Sequence, residues 1–125
     1  MGEPEAWEVE VTDQFDEWAD GLAPDDSDAL DEAIEVLARK GPSLRRPLVG
    51  EITTSRHKNM KELRRSSGNH DFRILFAFDP RRTAILLLGG DKAGDWNKWY
   101  QREVPRADDL YDEYLDELGK EGLLP

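Results

Sequence analysis

Trp7-Glu8-Val9-Glu10-Val11 alternates apolar and acidic side chains, the period of a strand with one buried face. From Asp13 the period becomes helical, with Phe15, Trp18 and Leu22 on one side and Gly21 and Pro24 as boundaries. Asp25, Asp26, Ser27 and Asp28 suit the cap and first turn of a second helix, where carboxylates meet the positive end of the helix dipole. Leu30, Ala33, Ile34, Leu37 and Ala38 carry that helix to a stop at Gly41-Pro42. Ser43 to Lys58 is polar and rich in turn residues, with a short strand expected near Val49 to Ile52. Three strands follow, Met60–Arg64, Phe72–Phe78 and Thr83–Leu88. The polar loop Ser66 to His70 and the turn Asp79-Pro80-Arg81-Arg82 separate them. Links this short predict an antiparallel meander, and the continuous apolar run of the third strand predicts a central position covered on both faces. Gly89-Gly90 is expected to break that strand, and Asp91 to Arg102 to be irregular or loosely helical. Pro105 is expected to open a last helix, in which Ala107, Leu110, Tyr111, Tyr114, Leu115 and Leu118 form the apolar stripe.

The pattern is that of an α+β fold: strand, two helices, three-strand antiparallel meander, C-terminal helix. With 125 residues it predicts one domain over the whole chain, with an ordered core from Trp7 to Leu118. No apolar run is long enough to span a bilayer and no export-signal pattern opens the chain, so a cytoplasmic protein without a membrane partner is expected. The absence of cysteine excludes disulfides, thiolate nucleophiles and Cys-based zinc sites.

The net charge of −11 argues at first against a polyanionic partner, but it is unevenly distributed. Met1 to Ala38 holds 14 acidic residues and no Lys or Arg, whereas Arg39 to Arg106 holds 16 of the 17 basic residues against 7 acidic ones. Ala107 to Pro125 is acidic again. The acidic ends can serve solubility alone. A basic centre can also face phosphates, because local rather than net charge sets the field at a cleft.

Gly89-Gly90 belongs to no nucleotide-binding glycine motif, and two histidines, His57 and His70, exclude a His-rich metal site. Asp91 and Asp95 are the loop carboxylates that could hold magnesium, though such pairs are commonly just solvated; no metal or cofactor is expected. Strand alternation places Arg73 opposite the even-numbered apolar residues of its strand, and turns Glu62 and Arg64 away from Leu63. If the strands pair, Arg64 and Arg73 share a face near the loop bearing Lys92. The bland reading is surface pairing of Arg64 with Glu62 or Asp71. The functional one is RNA cleavage without metal, in which a 2′-hydroxyl attacks phosphorus and fixed cations stabilise the charge that grows there. Arg64, Arg73 and Lys92 would supply that charge, and His57 has the natural pKa for proton transfer. Arg56, Lys58, Lys61 and Lys98 would contact RNA around them. Trp96, Trp99 and Tyr100 would either stack on splayed bases or pack under the last helix.

Met60-Lys61-Glu62-Leu63-Arg64, Phe72-Arg73-Ile74-Leu75-Phe76 and Ala84 to Gly89 leading into Asp91-Lys92 together resemble the RelE/HigB toxin superfamily, and most closely its phage-derived HigB branch. The resemblance runs from Trp7 to Leu118 and rests on the order and spacing of the pieces. It implies a microbial-ribonuclease-like fold and a type II toxin that cuts messenger RNA on the ribosome. It also implies a helix-turn-helix, HigA-like antitoxin, with Arg64, Arg73 and Lys92 matching the family's strand and loop cations. Met60 and Glu62 stand where related toxins often have lysine, and Ala93 where many have a second basic loop residue. Two other functions fit the same scaffold: a ParE-type gyrase poison, and a catalytically degenerate interaction or regulatory module. Codon preference, oligomeric state and the general acid and base stay open at this stage.

Overall fold

A computed structural model describes residues 6–93 and 96–124. Its elements are β1 (Glu8–Val11), α1 (Asp13–Asp20), α2 (Pro24–Lys40), β2 (Val49–Glu51), β3 (Met60–Ser67), β4 (His70–Phe78), β5 (Thr83–Asp91) and α3 (Trp96–Lys120). Thr12 turns the chain from β1 into α1: its hydroxyl accepts from the Phe15 amide at 3.0 Å and donates to the Leu87 carbonyl at 2.6 Å. Pro24 starts α2 where a missing amide hydrogen costs nothing, and Asp25, Asp26, Arg39 and Lys40 complement its dipole. Gly41 ends α2 with φ 55° under the Trp7 ring, so close that a Cβ would lie 2.1 Å from the indole nitrogen.

The strands form one five-stranded sheet in the order β1-β5-β4-β3-β2. The meander β3-β4-β5 is antiparallel, β2 extends it antiparallel, and β1 joins the far side parallel to β5. The sheet is therefore mixed, and β4 rather than β5 occupies its centre. Both β4 and β5 are covered on two faces. Phe72, Ile74 and Phe76 meet α1 and α2 through Phe15, Leu30 and Leu37. Leu75 and Ala77 meet α3 through Trp99, Val104 and Tyr111.

Two further sequence expectations fail, for a shared reason. Gly89-Gly90 does not break β5, which runs on to Asp91. A bulge between Leu75 and Phe76 leaves Leu87 as the extra residue. A Cβ on Gly89 would then lie 2.3 Å from the Trp18 ring, and one on Gly90 2.4 Å from the Trp99 indole nitrogen. The glycines let two tryptophans lie on the sheet. Likewise α3 starts at Trp96 and passes through Pro105, which the sequence reading places at the helix start. An interior proline costs about 3 kcal/mol. Burial of Trp99 and Val104 on the same turns, worth on the order of 2 kcal/mol each, offsets it. Among the described residues, no helix is long and apolar enough to cross a membrane.

Candidate functional site

The β3–β4 register sets Arg64 directly opposite Arg73, and Glu62 opposite Leu75, so Glu62, Arg64 and Arg73 share the face that α3 covers. Gly50 on β2 makes room for the Arg64 guanidinium, which a Cβ there would approach to 2.5 Å. Glu62 is buried, with its side chain 4% exposed. One of its oxygens accepts from Arg64 Nε at 2.8 Å and lies 3.9 Å from Arg73 Nε. The other accepts from the Tyr100 hydroxyl at 2.6 Å. Arg73 is anchored through Nη1 to Asp71 at 2.6 Å and to the Phe72 carbonyl at 2.8 Å. Its Nε is buried and lacks a hydrogen-bond partner. An orphaned donor of this kind costs free energy unless a ligand or water meets it.

Lys92 enters the same cluster from beyond β5. Its amide donates to the Asp71 carbonyl at 3.1 Å, and its ammonium stands 5.7 Å from the centre of the Tyr100 ring. Burial, followed by repulsion from Arg73, lowers the Lys92 pKa from its ordinary value. Burial, then the Glu62 carboxylate, pushes the Tyr100 phenol up to about 12, so Tyr100 donates to Glu62 as a neutral hydroxyl. Exposure divides the cations. Arg64 keeps 30% of its side-chain surface in solvent, whereas Arg73 keeps 8%. Lys92 is only 2% exposed. A shallow groove of about 350 Å³ lined by Leu48, Arg64, Ser66, Asp71 and Arg73 opens on the solvent side. The arrangement presents one guanidinium to an incoming anion and holds two further cations behind it.

Asp91 positions Lys92. It accepts from the Asp71 and Ala93 amides at 3.0 Å each, and His70 Nδ1 lies 2.6 Å from its other oxygen. Partial burial pushes the Asp91 carboxyl up, but the Asp71 amide, the His70 ring and the Ala93 amide outweigh it and hold the pKa below the ordinary value. Both Asp91 oxygens thus have protein partners, and Asp95 lies outside the described residues.

Other candidates from the sequence fall elsewhere. His57 Nε2 lies 2.7 Å from Asp112 and its ring packs edge-on against Tyr111. Arg56 pairs with Asp109 at 2.9 Å and with Asp112. Asp112 stands 12 residues beyond Tyr100 on α3, about 18 Å along the axis. The carboxylates of α3 therefore hold His57 and Arg56 away from the arginine pair. Lys61 projects from the opposite face of β3, 3.7 Å from Glu51, in a second groove with Arg45 and Arg46. Trp99 is buried against Gly90 and packs under the sheet instead of offering a stacking surface. Lys58 and Lys98 are exposed; the side chain of Trp96 lies outside the described residues. Glu62 and Asp71 complete the cluster as its counter-charges, a role the sequence reading gave them only as surface pairing. The signal was present, since alternation already puts Glu62 beside Arg64.

The family described as Phage derived protein Gp49-like (DUF891) matches residues 17–112. "Putative toxin HigB2" of Mycobacterium tuberculosis (strain ATCC 25618 / H37Rv) is 46% identical over 110 residues, covering 87% of this chain. The chain spans 54% of that relative's length. "Putative toxin HigB3" of the same strain is 46% identical over 102 residues, covering 82% of this chain and 88% of the relative. Among solved structures, the archaeal RelE–RelB complex from Pyrococcus horikoshii OT3 contains a chain of similar fold. Its TM-score is 0.54 at 13% identity, over 71% of this chain and 98% of that one.

Proposed function

We propose that this chain, which belongs to the phage-derived Gp49-like family, is the toxin of a type II toxin–antitoxin pair and cleaves messenger RNA on the ribosome without a metal ion. The observation that carries this reading is the Arg64–Arg73 pair with Lys92 behind it and a buried Nε–H on Arg73 that makes no hydrogen bond. Arg64, the most exposed of the three, meets the scissile phosphate first. Negative charge that develops on its non-bridging oxygens is then balanced by Arg64 and Arg73. In the cleavage step the 2′-oxygen bonds to phosphorus and releases its proton to solvent water, because Glu62 is buried and engaged with Arg64 and Tyr100. The bond from phosphorus to the 5′-oxygen breaks, and Lys92, with its lowered pKa, supplies the proton that oxygen takes. The products are a 2′,3′-cyclic phosphate and a 5′-hydroxyl end. Restraint of this activity falls to an antitoxin partner, expected to be a HigA-like helix-turn-helix protein.

One observation favours a second reading. Glu62 already accepts from Arg64 and Tyr100, so the cluster is largely neutralised from within, as in an interaction module that has lost cleavage. Expression in bacteria without a partner separates the two. The nuclease reading predicts growth arrest, relieved by Arg64→Ala. Growth that never slows favours the module, and arrest accompanied by DNA breaks with intact transcripts favours a gyrase poison.

A further inference from the structure

The backbone around Lys92 is held as firmly as its buried side chain. The Lys92 amide donates to the Asp71 carbonyl at 3.1 Å, and the next amide, that of Ala93, donates to Asp91 Oδ1 at 3.0 Å. Asp91 Oδ1 also accepts from the Asp71 amide at 3.0 Å, so one carboxylate ties the chain beyond Lys92 to the start of β4. The orientation of that carboxylate depends on His70, whose Nδ1 lies 2.6 Å from the other oxygen, Oδ2. On the far side of the ring, Nε2 lies 3.8 Å from Asp26 Oδ2 in the first turn of α2. The ring stacks on Phe72, with centroids 5.2 Å apart and planes inclined by 16°, which fixes it between the two carboxylates. Asp26 is steadied in turn by the Ser67 hydroxyl of β3, which donates to it at 2.6 Å.

A neutral imidazole has one N–H and one bare lone pair. Either neutral tautomer would aim that lone pair at a carboxylate, Asp91 or Asp26. The imidazolium alone presents an N–H to both. These two aspartates, from β5 and α2, are the charges that face the ring. The Asp91 hydrogen bond, joined by the Asp26 charge and opposed by partial desolvation, raises the His70 pKa above 6.5. Resting on the RNA-cleaving reading above, we infer that His70 is a positioning residue: its charged ring orients Asp91, and Asp91 sets Lys92 where the ammonium delivers its proton to the departing 5′-oxygen. When the ring loses its proton, Asp91 Oδ2 loses its charged partner and the backbone around Lys92 loosens. A displacement of about 1 Å can cost about a hundredfold in rate. Cleavage is therefore fastest with His70 charged and falls as pH rises through its folded-state pKa.

The test uses the full chain and two readouts over one pH series. Proton NMR follows the His70 ring, identified by its loss in His70→Asn, while amide correlation spectra follow Lys92 and Ala93 and check the fold of each variant. Single-turnover cleavage of messenger RNA on purified ribosomes gives the rate. The inference predicts that both amides shift with the His70 midpoint. It also predicts that the rate drops roughly tenfold in the first pH unit above that midpoint, where about one ring in ten is still charged. His70→Asn keeps a neutral donor opposite Asp91 and should abolish both the amide titration and this limb of the rate profile. Asp26→Asn can still accept from Ser67 and should move the limb to lower pH. A limb that belongs to Lys92 itself would stay in place, because Asp26 is not among the charges acting on Lys92. Lys92 and Ala93 amides that ignore the His70 midpoint, or an alkaline limb unmoved in both variants, overturn the inference and leave the nuclease reading standing. Amides that follow His70 in a chain that cuts no transcript at any pH sustain the coupling of His70 to Lys92 and remove the nuclease.

Discussion

Glu62 and Tyr100 meet across the interior, the strand carboxylate accepting from the helix phenol at 2.6 Å, and this contact ties α3 to the arginine pair on the sheet. The same carboxylate holds Arg64 through Nε, and Arg64 lines the solvent-side groove. Glu62 therefore joins three elements, β3, β4 and α3, in one charge-balanced cluster.

Glu62→Gln should lower stability by about 3 kcal/mol, because it removes the carboxylate that compensates buried cations and leaves them mutually repelling. Urea denaturation at neutral pH measures this. The same substitution should bring the Tyr100 phenol down from about 12, since Glu62 is the second cause of its elevation after burial. A stability unchanged within about 0.5 kcal/mol would show that the cluster does not depend on its carboxylate.

His70 and Asp91 should make stability depend on pH in a defined window. The Asp91 hydrogen bond raises the His70 pKa above 6.5, so this contribution is complete below that value and is lost as pH rises through the folded-state pKa. Asp91 is held below 3.8, so its contribution is present above that value and disappears as pH falls through the folded-state pKa. The stability difference between wild type and His70→Ala should be widest between these limits and shrink above neutrality. Paired denaturation curves across pH would reveal it, and a difference that grows toward alkaline pH would contradict the assignment.

Gly90→Ala should destabilise by roughly 1–3 kcal/mol, because its Cβ would meet the Trp99 ring at 2.4 Å and the ring is packed in the core beneath α3. Shifts in thermal midpoint and Trp fluorescence would report it together. Trp99→Leu combined with Gly90→Ala should recover part of the loss, since it removes the clashing ring.

The alternation in β3 and β4 made the shared face of Arg64 and Arg73 legible, because a strand's two-residue period is a local property. The helix start at Asp13 and the stop at Gly41 were legible because helical spacing and a terminal glycine are local signals too. Contacts between distant segments were not. His57 looked available in its loop until Asp112, 55 residues later, was folded onto it. Gly89-Gly90 resembled a strand end because the demand for glycine comes from Trp18 and Trp99 packing across the sheet. The parallel addition of β1 beside β5 brings together segments about 75 residues apart in the chain, and no local pattern encodes it. Pro105 misled in the same way, since the buried stripe before it depends on the sheet it covers.

Primer extension on messenger RNA from cells producing the chain without a partner tests the central claim most directly. Arg73→Ala is a poor comparison, because it removes a buried cation 3.9 Å from the Glu62 carboxylate and the partner of the Asp71 carboxylate. Arg64→Ala removes a side chain that is 30% exposed and keeps Arg73 in place. The account predicts new 5′ ends inside translated frames with the wild type, each with a 5′-hydroxyl, reduced by roughly tenfold or more with Arg64→Ala, as expected when one charge-stabilising donor is lost. Transcripts left uncut by a wild-type chain that nevertheless arrests growth, or cut equally by Arg64→Ala, would contradict it.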